Sequence, residues 1–389
     1  MPGFVLSDGH NDLAIVVRYL YGNRIYSKNF TDPFEKGGLG FHVDLPRLRE
    51  GKAGGAFWSA FVECPKNWTD FSDENYAEAV RATISQLDLL QRLQAAYPDY
   101  FSQPGNSTTA LTAFRKHQLI SPLAIEGLHQ IGNSFSTLRL YHRLGVRYST
   151  LTHNCHNRFA DAAVVTDADG RTVASTPHWG GLSQDGRDVV REMNRLGMIV
   201  DLAHVSQNTM LDVLNGDPEN HWNGSLAPII FSHSSAYSVC PHPRNVPDNI
   251  LHLVKKTNSL VMVNIAPDFI SCVPSPDSTS GIPDFYPPNS TIQQVVRHIT
   301  HIGALIGYDH VGIGTDFDGI LSTPKGLEDV SEFPMLVAEM LRAGISDSDA
   351  AKVVGANLLR VWSDVDDIAI KLQQIMQPVE DRLEPIKFI

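Results

Sequence analysis

Seven residues of this 389-residue chain stand where short apolar runs give way to polar ones, and each carries a side chain that binds metals or moves protons. His10 and Asp12 follow the run Phe4-Val5-Leu6. In an extended strand, residues i and i+2 face the same way, so this imidazole and carboxylate leave one strand end aimed at a common point. Such a pair suits a hard or borderline divalent cation such as zinc. Glu126 closes Ser121-Pro122-Leu123-Ala124-Ile125, and His153, His204, His233 and Asp316 close four later apolar runs. One metal needs three or four protein ligands, and this set supplies more, so two ions are expected. Two divalent ions bridged by a carboxylate and a hydroxide would lower the pKa of that water and polarise a carbonyl, which is metal-assisted hydrolysis.

Each residue also has a plainer role open to it. Asp12 could cap a following helix, and Asp316 and Asp318 could do the same. Glu126 could pair with an arginine, since an uncompensated carboxylate on an apolar strand is costly. His204 and His233 could be core histidines bonded to backbone carbonyls. His153 and His156 sit close together, and only one need be functional. His298 and His301 lie at helical spacing and are expected on a solvated face. The remaining histidines, His42, His117, His129, His142, His178, His221, His242, His252 and His310, read as structural.

The elements that position these groups follow from hydrophobic pattern. Eight apolar runs end near Asp8, Val62, Gly127, His153, His204, His233, Ala266 and Asp316. Helical spacing appears between most of them: Asp73–Tyr97, Phe135–Leu144, Gln184–Leu196, Ser206–Leu214 and Ile292–Leu305. Near-continuous apolar strands suit a parallel sheet buried on both faces. Eight alternating units predict a (β/α)8 TIM-like barrel, whose functional groups sit at the C-terminal strand ends. A doubly wound open sheet is the alternative, but no GxGxxG loop follows the first strand. Residues 29–55 read as a long loop, Pro274–Pro288 as an excursion near the rim, and Pro334–Ala343 and Ser346–Trp362 as closing helices. The whole chain, 1–389, reads as one domain with a C-terminal tail from about residue 365.

The net charge of −12, with no cluster of Lys and Arg, argues against a nucleic-acid partner. No stretch approaches a membrane span, and Glu380–Ile389 lacks the apolar tail of a lipid-anchor signal. Cys64, Cys155, Cys240 and Cys272 have no CxxC spacing, which disfavours a structural zinc site and leaves three disulfide pairings open. No signal segment stands before the first run, which predicts an intracellular protein or the mature form of a secreted one. Five sequons, beginning at Asn29, Asn67, Asn106, Asn223 and Asn289, together with the cysteines favour secretion.

Several segments resemble the membrane (renal) dipeptidase family. They are Asp8-Gly9-His10-Asn11-Asp12-Leu13, Ala124-Ile125-Glu126-Gly127, Leu151-Thr152-His153-Asn154-Cys155, Asp201-Leu202-Ala203-His204-Val205-Ser206, Phe231-Ser232-His233-Ser234-Ser235 and Arg244-Asn245-Val246-Pro247-Asp248. Asp316-Phe317-Asp318-Gly319 and Gly326-Leu327-Glu328-Asp329-Val330-Ser331 complete a series that runs in one order to about Trp362. The resemblance implies a metal-dependent amidohydrolase barrel with two zinc ions per chain, other divalent metals being compatible with the same ligands. By motif, His10 and Asp12 would bind one ion, His204 and His233 the other, and Glu126 both. Asp316 would transfer the proton, His153 would polarise the scissile carbonyl or stabilise the oxyanion, and Arg244 would hold a terminal carboxylate. The cysteine positions imply the pairs Cys64–Cys155 and Cys240–Cys272, and hence an oxidising compartment.

Departures from the family are Ala14, where Pro is usual, and His156-Asn157-Arg158, where mammalian members carry Pro-Trp and fungal ones resemble this chain. With no cysteine after Cys272, a family-like homodimer would be non-covalent. The expected activity is hydrolysis of a dipeptide or dipeptide-like substrate with a free C-terminal carboxylate by a metal-bridging hydroxide. Alternatives are a biosynthetic dipeptidase trimming a sulfur-conjugated fungal intermediate of the gliotoxin type, another amidohydrolase acting on a lactone, cyclic amide or phosphoester, or a non-catalytic binding homologue.

Overall fold

The computed structural model describes residues 6–167, 169–276 and 279–385, so Phe4 and Val5 of the expected first run lie outside the described residues. Eight parallel strands hydrogen-bond in chain order: β1 (Ser7–Asn11), β2 (Gly55–Ser59), β3 (Leu123–Glu126), β4 (Val146–Thr150), β5 (Ile199–Asp201), β6 (Ile230–Phe231), β7 (Leu260–Val263) and β8 (Val311–Ile313). The ring nearly closes just past β8, where the Asp316 N–H donates to His10 O at 3.2 Å and the Asp12 N–H to Phe317 O at 2.9 Å. The sheet is thus the expected barrel rather than an open one.

The strands alternate between two buried surroundings, which explains their unbroken apolar runs. One set of side chains packs under the surrounding helices. The other set, including Phe57, Ala124, Tyr148, Ile199, Ile230 and Met262, fills the interior together with Val361 and Trp362 of the last helix. Trp362 lies 5.4 Å from the Phe57 ring, which lies 5.1 Å from Tyr148. The barrel is therefore a packed core, and its chemistry is confined to one end.

Most helices fall where the periodicity predicts them. Gln184–Leu196 begins at Ser183, whose side chain accepts from the Gly186 N–H, and ends at Gly197 in the left-handed region. Residues 29–55 are a correction: they carry two short helices, Lys28–Lys36 and Leu45–Glu50. Phe30 and Phe34, one turn apart, stack at 4.9 Å and anchor the first; Asp44 caps the second by accepting from the Arg47 N–H. Two aromatic anchors in a polar stretch are too few to register as periodicity. The closing helix is also longer than expected, running from Asn357 to Ile375, so the proposed tail begins later than residue 365. Between Cys272–Val273 and Asp284–Phe285 the excursion after β7 forms a two-stranded antiparallel pair. No helix among the described residues is long and apolar enough to cross a membrane.

Both implied disulfides are present. Cys64–Cys155 joins the segments that follow β2 and β4, and Cys240–Cys272 those that follow β6 and β7. With separations of 91 and 32 residues, loop entropy makes each worth about 4 kcal/mol.

Candidate active site

The strand ends bring His10, Asp12, Glu126, His204, His233 and Asp316 together in a buried cluster. Nε2 of His10 lies 3.0 Å from Asp12 Oδ2, 3.6 Å from Glu126 Oε2 and 4.0 Å from Asp316 Oδ1. On the other side, Glu126 Oε1 lies 2.8 Å from His204 Nε2 and 3.3 Å from His233 Nε2, and those two nitrogens are 2.9 Å apart. One carboxylate therefore faces an imidazole–carboxylate pair with one oxygen and an imidazole pair with the other.

The partners of the outer ring nitrogens fix each tautomer. Tyr148 donates its hydroxyl proton to Gly9 O at 3.1 Å, so at 2.5 Å it accepts from His10 Nδ1–H. Ser232 Oγ donates to Asp201 Oδ2 at 2.6 Å and so accepts from His233 Nδ1–H at 2.7 Å. His204 Nδ1 faces Asn154 Oδ1 at 2.8 Å, an oxygen that can only accept. All three histidines thus turn an Nε2 lone pair inward, toward carboxylates and toward one another. Lone pairs so arranged repel until a cation stands among them, and Asp12 Oδ1 adds a buried acceptor with no hydrogen-bond partner among the described residues. An N/O donor set of this kind fits divalent metal ions, with His10, Asp12 and Glu126 as one group and Glu126, His204 and His233 as a second.

Electrostatics agree with the geometry. Burial alone would raise the Glu126 pKa, but His10, His204 and His233 hold it well below the usual carboxylate range. Burial works against charge on His10, yet Tyr148, Asp12 and Glu126 push its pKa well above normal, so its surroundings call for positive charge at Nε2. His204 and His233 are held neutral mainly by burial. Asp316 is pushed well up by burial, with Asp12 and Glu126 adding to it and His10 opposing. Its Oδ2 accepts from Asn264 Nδ2 at 3.2 Å. Gly319 has no room for a side chain, because a Cβ there would strike the carboxylates of Asp12 and Asp316.

Two further groups face the cluster from loops. Arg244 is only 2% exposed, and none of its three guanidinium nitrogens has a hydrogen-bond partner among the described residues. Burial pushes its pKa down to about 10, against the pull of Asp316 and Glu126. His153 packs with its ring 4.4 Å from that of His204, and burial lowers its pKa to about 4, so it is neutral.

A family model described as membrane dipeptidase (peptidase family M19) matches residues 1–376. The chain belongs to this family. It is 44% identical over 383 residues to dipeptidase aclJ of Aspergillus oryzae, covering 98% of this chain and 82% of that one. Dipeptidase tcpJ of Claviceps purpurea is 43% identical over 375 residues, or 96% and 80% of the two chains. Among solved structures, a metallo peptidase named dipeptidase AC superposes with a TM-score of 0.75 at 25% identity, over 93% of this chain and 98% of that one. A metallo peptidase from Rhodobacter sphaeroides, liganded with a phosphinate mimic of the dipeptide L-Ala-D-Ala, shares the fold at a TM-score of 0.76 and 24% identity, over 93% and 99%. The protein is accordingly a metal-dependent dipeptidase.

Two of the plainer roles are not seen in this dipeptidase. Asp12 stands before the helix Leu13–Tyr21 but makes no capping bond, and Glu126 faces imidazoles rather than an arginine. Asp318, in contrast, is structural: its Oδ1 accepts from the His42 N–H at 2.8 Å. His298 is a correction, because it is fully buried rather than solvated; its Nδ1 accepts from the Ala236 N–H and its Nε2 donates to Ile270 O. His129 lies beside Cys64 and Cys155, whose sulfurs are already joined. Tyr148, Asn154, Asp201, Ser232 and Asn264, which orient the cluster, are residues that sequence reasoning does not find. Ser232 and Asn154 at least adjoin named site residues; Tyr148 reads as ordinary strand core.

Proposed function

We propose that this dipeptidase uses two zinc ions to hydrolyse dipeptides, or dipeptide-like molecules, that carry a free C-terminal carboxylate. The carrying observation is Glu126, whose two oxygens are shared between two separate groups of inward lone pairs. His10 and Asp12 would hold one ion, His204 and His233 the other, and Glu126 both. When bound, two divalent ions would lower the pKa of a coordinated water and polarise the carbonyl under attack.

The chain's own residues supply the rest. Arg244 pairs its unpartnered guanidinium with the substrate carboxylate in two-point fashion, which fixes the neighbouring peptide bond over the cluster. Neutral His153 donates a hydrogen bond to the carbonyl oxygen as negative charge develops there. Asp316, steadied by Asn264, takes a proton from the attacking water and passes it to the departing amine. The position of Asp316 supports that role: its Oδ1 lies 4.0 Å from His10 Nε2, beside the residues proposed to hold the ions.

Elemental analysis of the purified protein should find close to two zinc ions per chain. Turnover of simple dipeptides should vanish with a chelator and return with zinc. One ion per chain at full activity, or activity indifferent to chelation, would overturn the reading.

A further inference from the structure

Between the segments that follow β2 and β4 lies a cleft of about 660 Å³, lined in part by His153 and Asn154. Arg244 does not line it. A substrate whose carboxylate is held by Arg244, and whose scissile carbonyl meets His153, therefore reaches this cleft with its N-terminal residue. Its apolar and aromatic lining is Phe61, Pro65, Trp68 and Cys64, with Glu63, Lys66 and Asp167 adding charge to the walls.

Both aromatic rings are fixed before any ligand arrives. The Trp68 indole N–H donates to Thr166 O at 2.8 Å, on the hairpin Val164–Thr166 and Thr172–Ala174. Its ring lies 5.6 Å from that of His156, whose Nδ1 accepts from the Ala162 N–H at 3.1 Å. Phe61 meets His153 edge-on, with ring centroids 4.9 Å apart. Aromatic surfaces immobilised in advance lose little entropy on stacking with a flat ligand group. Small side chains would leave most of the cleft to water, whereas a large aromatic side chain buries about 150–250 Å².

We infer that this cleft receives the side chain of the substrate's N-terminal residue and selects a large aromatic one, with Trp68 and Phe61 as the specificity-determining residues. The inference rests on the proposed function in one respect, the capture of the C-terminal carboxylate by Arg244.

The test compares phenylalanylglycine with alanylglycine on the metal-loaded enzyme. Turnover is followed alongside calorimetric binding of the two corresponding analogues in which a methylene replaces the peptide carbonyl. Wild-type protein is expected to prefer the phenylalanyl compound at least about tenfold in both measurements, and Trp68→Ala to reduce the ratio to about threefold or less. Trp68→Phe should keep most of the preference, which covers the case of an alanine variant that does not fold. A wild-type ratio below about threefold in binding overturns the subsite, as does a ratio unchanged in a folded Trp68→Ala protein. Absence of all dipeptide turnover with the binding preference intact overturns the hydrolytic reading and leaves the subsite standing.

Discussion

Replacing Arg244 with methionine should make the protein more stable and a worse enzyme. The guanidinium is buried with no hydrogen-bond partner among the described residues, and burial drives its pKa down to about 10. Against an ordinary value above 12, that gap corresponds to about 3 kcal/mol by which the folded state disfavours the charge it carries at neutral pH. Unfolding entropy of about 2.1 cal/mol/K per residue gives about 0.8 kcal/mol/K for 389 residues. Methionine keeps the stem's contacts near Phe269, over which the guanidinium carbon lies at 5.3 Å. The Tm should therefore rise by about 4 °C. The gain should be constant from pH 6 to 9 and shrink only near pH 10, where the wild-type group begins to lose its proton. Losing one partner of a desolvated charge pair costs about 2–5 kcal/mol, so kcat/KM for a dipeptide with a free carboxylate should fall about 30-fold or more, while an amidated dipeptide loses far less. Differential scanning calorimetry and paired substrates measure both effects. A lowered Tm together with equal losses on the two substrates would refute the account of Arg244 as an unpaired clamp.

Asp316→Asn preserves the shape of the side chain but removes its proton transfer, so kcat should drop about 10²–10⁴-fold with metal content unchanged; metal loss would instead make Asp316 a ligand. Tyr148→Phe deletes the oxygen that accepts from His10 Nδ1–H, and metal affinity, read from activity against free zinc, should weaken about 10–100-fold. An unaltered affinity would mean that Tyr148 does not set the tautomer. Burial holds His298 neutral, with a pKa of about 4 against an unfolded value near 6.5. Its contribution is present in full above about pH 6.5 and is lost as pH falls toward 4, up to about 3 kcal/mol, so urea midpoints should drop less steeply with acid in His298→Gln than in wild type. Equal slopes would discount it. Reducing both disulfides should raise KM while metals stay bound, and simultaneous metal loss would refute that order of events.

The parts of this molecule legible in the sequence are those governed by short-range rules. The barrel follows from eight apolar runs of similar length, and the cluster from the habit of polar residues to stand at strand ends. His10 and Asp12 point together because a strand repeats every two residues. What orients them does not obey such a rule. Tyr148 reaches His10 across the barrel interior from β4, and no spacing within the chain encodes that distance. His298 misleads for the same reason: its helix is amphipathic, but the contacts that bury it, Ala236 N and Ile270 O, come from segments after β6 and β7. Phe30 and Phe34 organise a helix that local propensity leaves unmarked, because tertiary burial of two rings outweighs a polar composition.

The site divides into two kinds of residue by how each is held. The candidate metal ligands lie on or within a few residues of hydrogen-bonded strands, so the sheet itself places them. Where the chain must turn sharply to aim a side chain into the cluster, it accepts strain: the ligand candidate His204 and the proton-transfer candidate Asp316 have φ of 66° and 65°, in the left-handed region that non-glycine residues enter at about 1–3 kcal/mol each. His153 and Arg244 stand on the loops that follow β4 and β6, His153 three residues past its strand as His204 is past β5. Those loops are the cross-linked ones. Cys155 follows His153 by two residues and ties it to the segment after β2. Cys240 is bonded to Cys272, and its carbonyl accepts from Asn245, the neighbour of Arg244. Strand geometry thus sets the positions that must match one another within tenths of an ångström, while covalent links steady the positions that meet the substrate. Variation in the loops can then alter what is cleaved, with the cluster that performs the cleavage left in place.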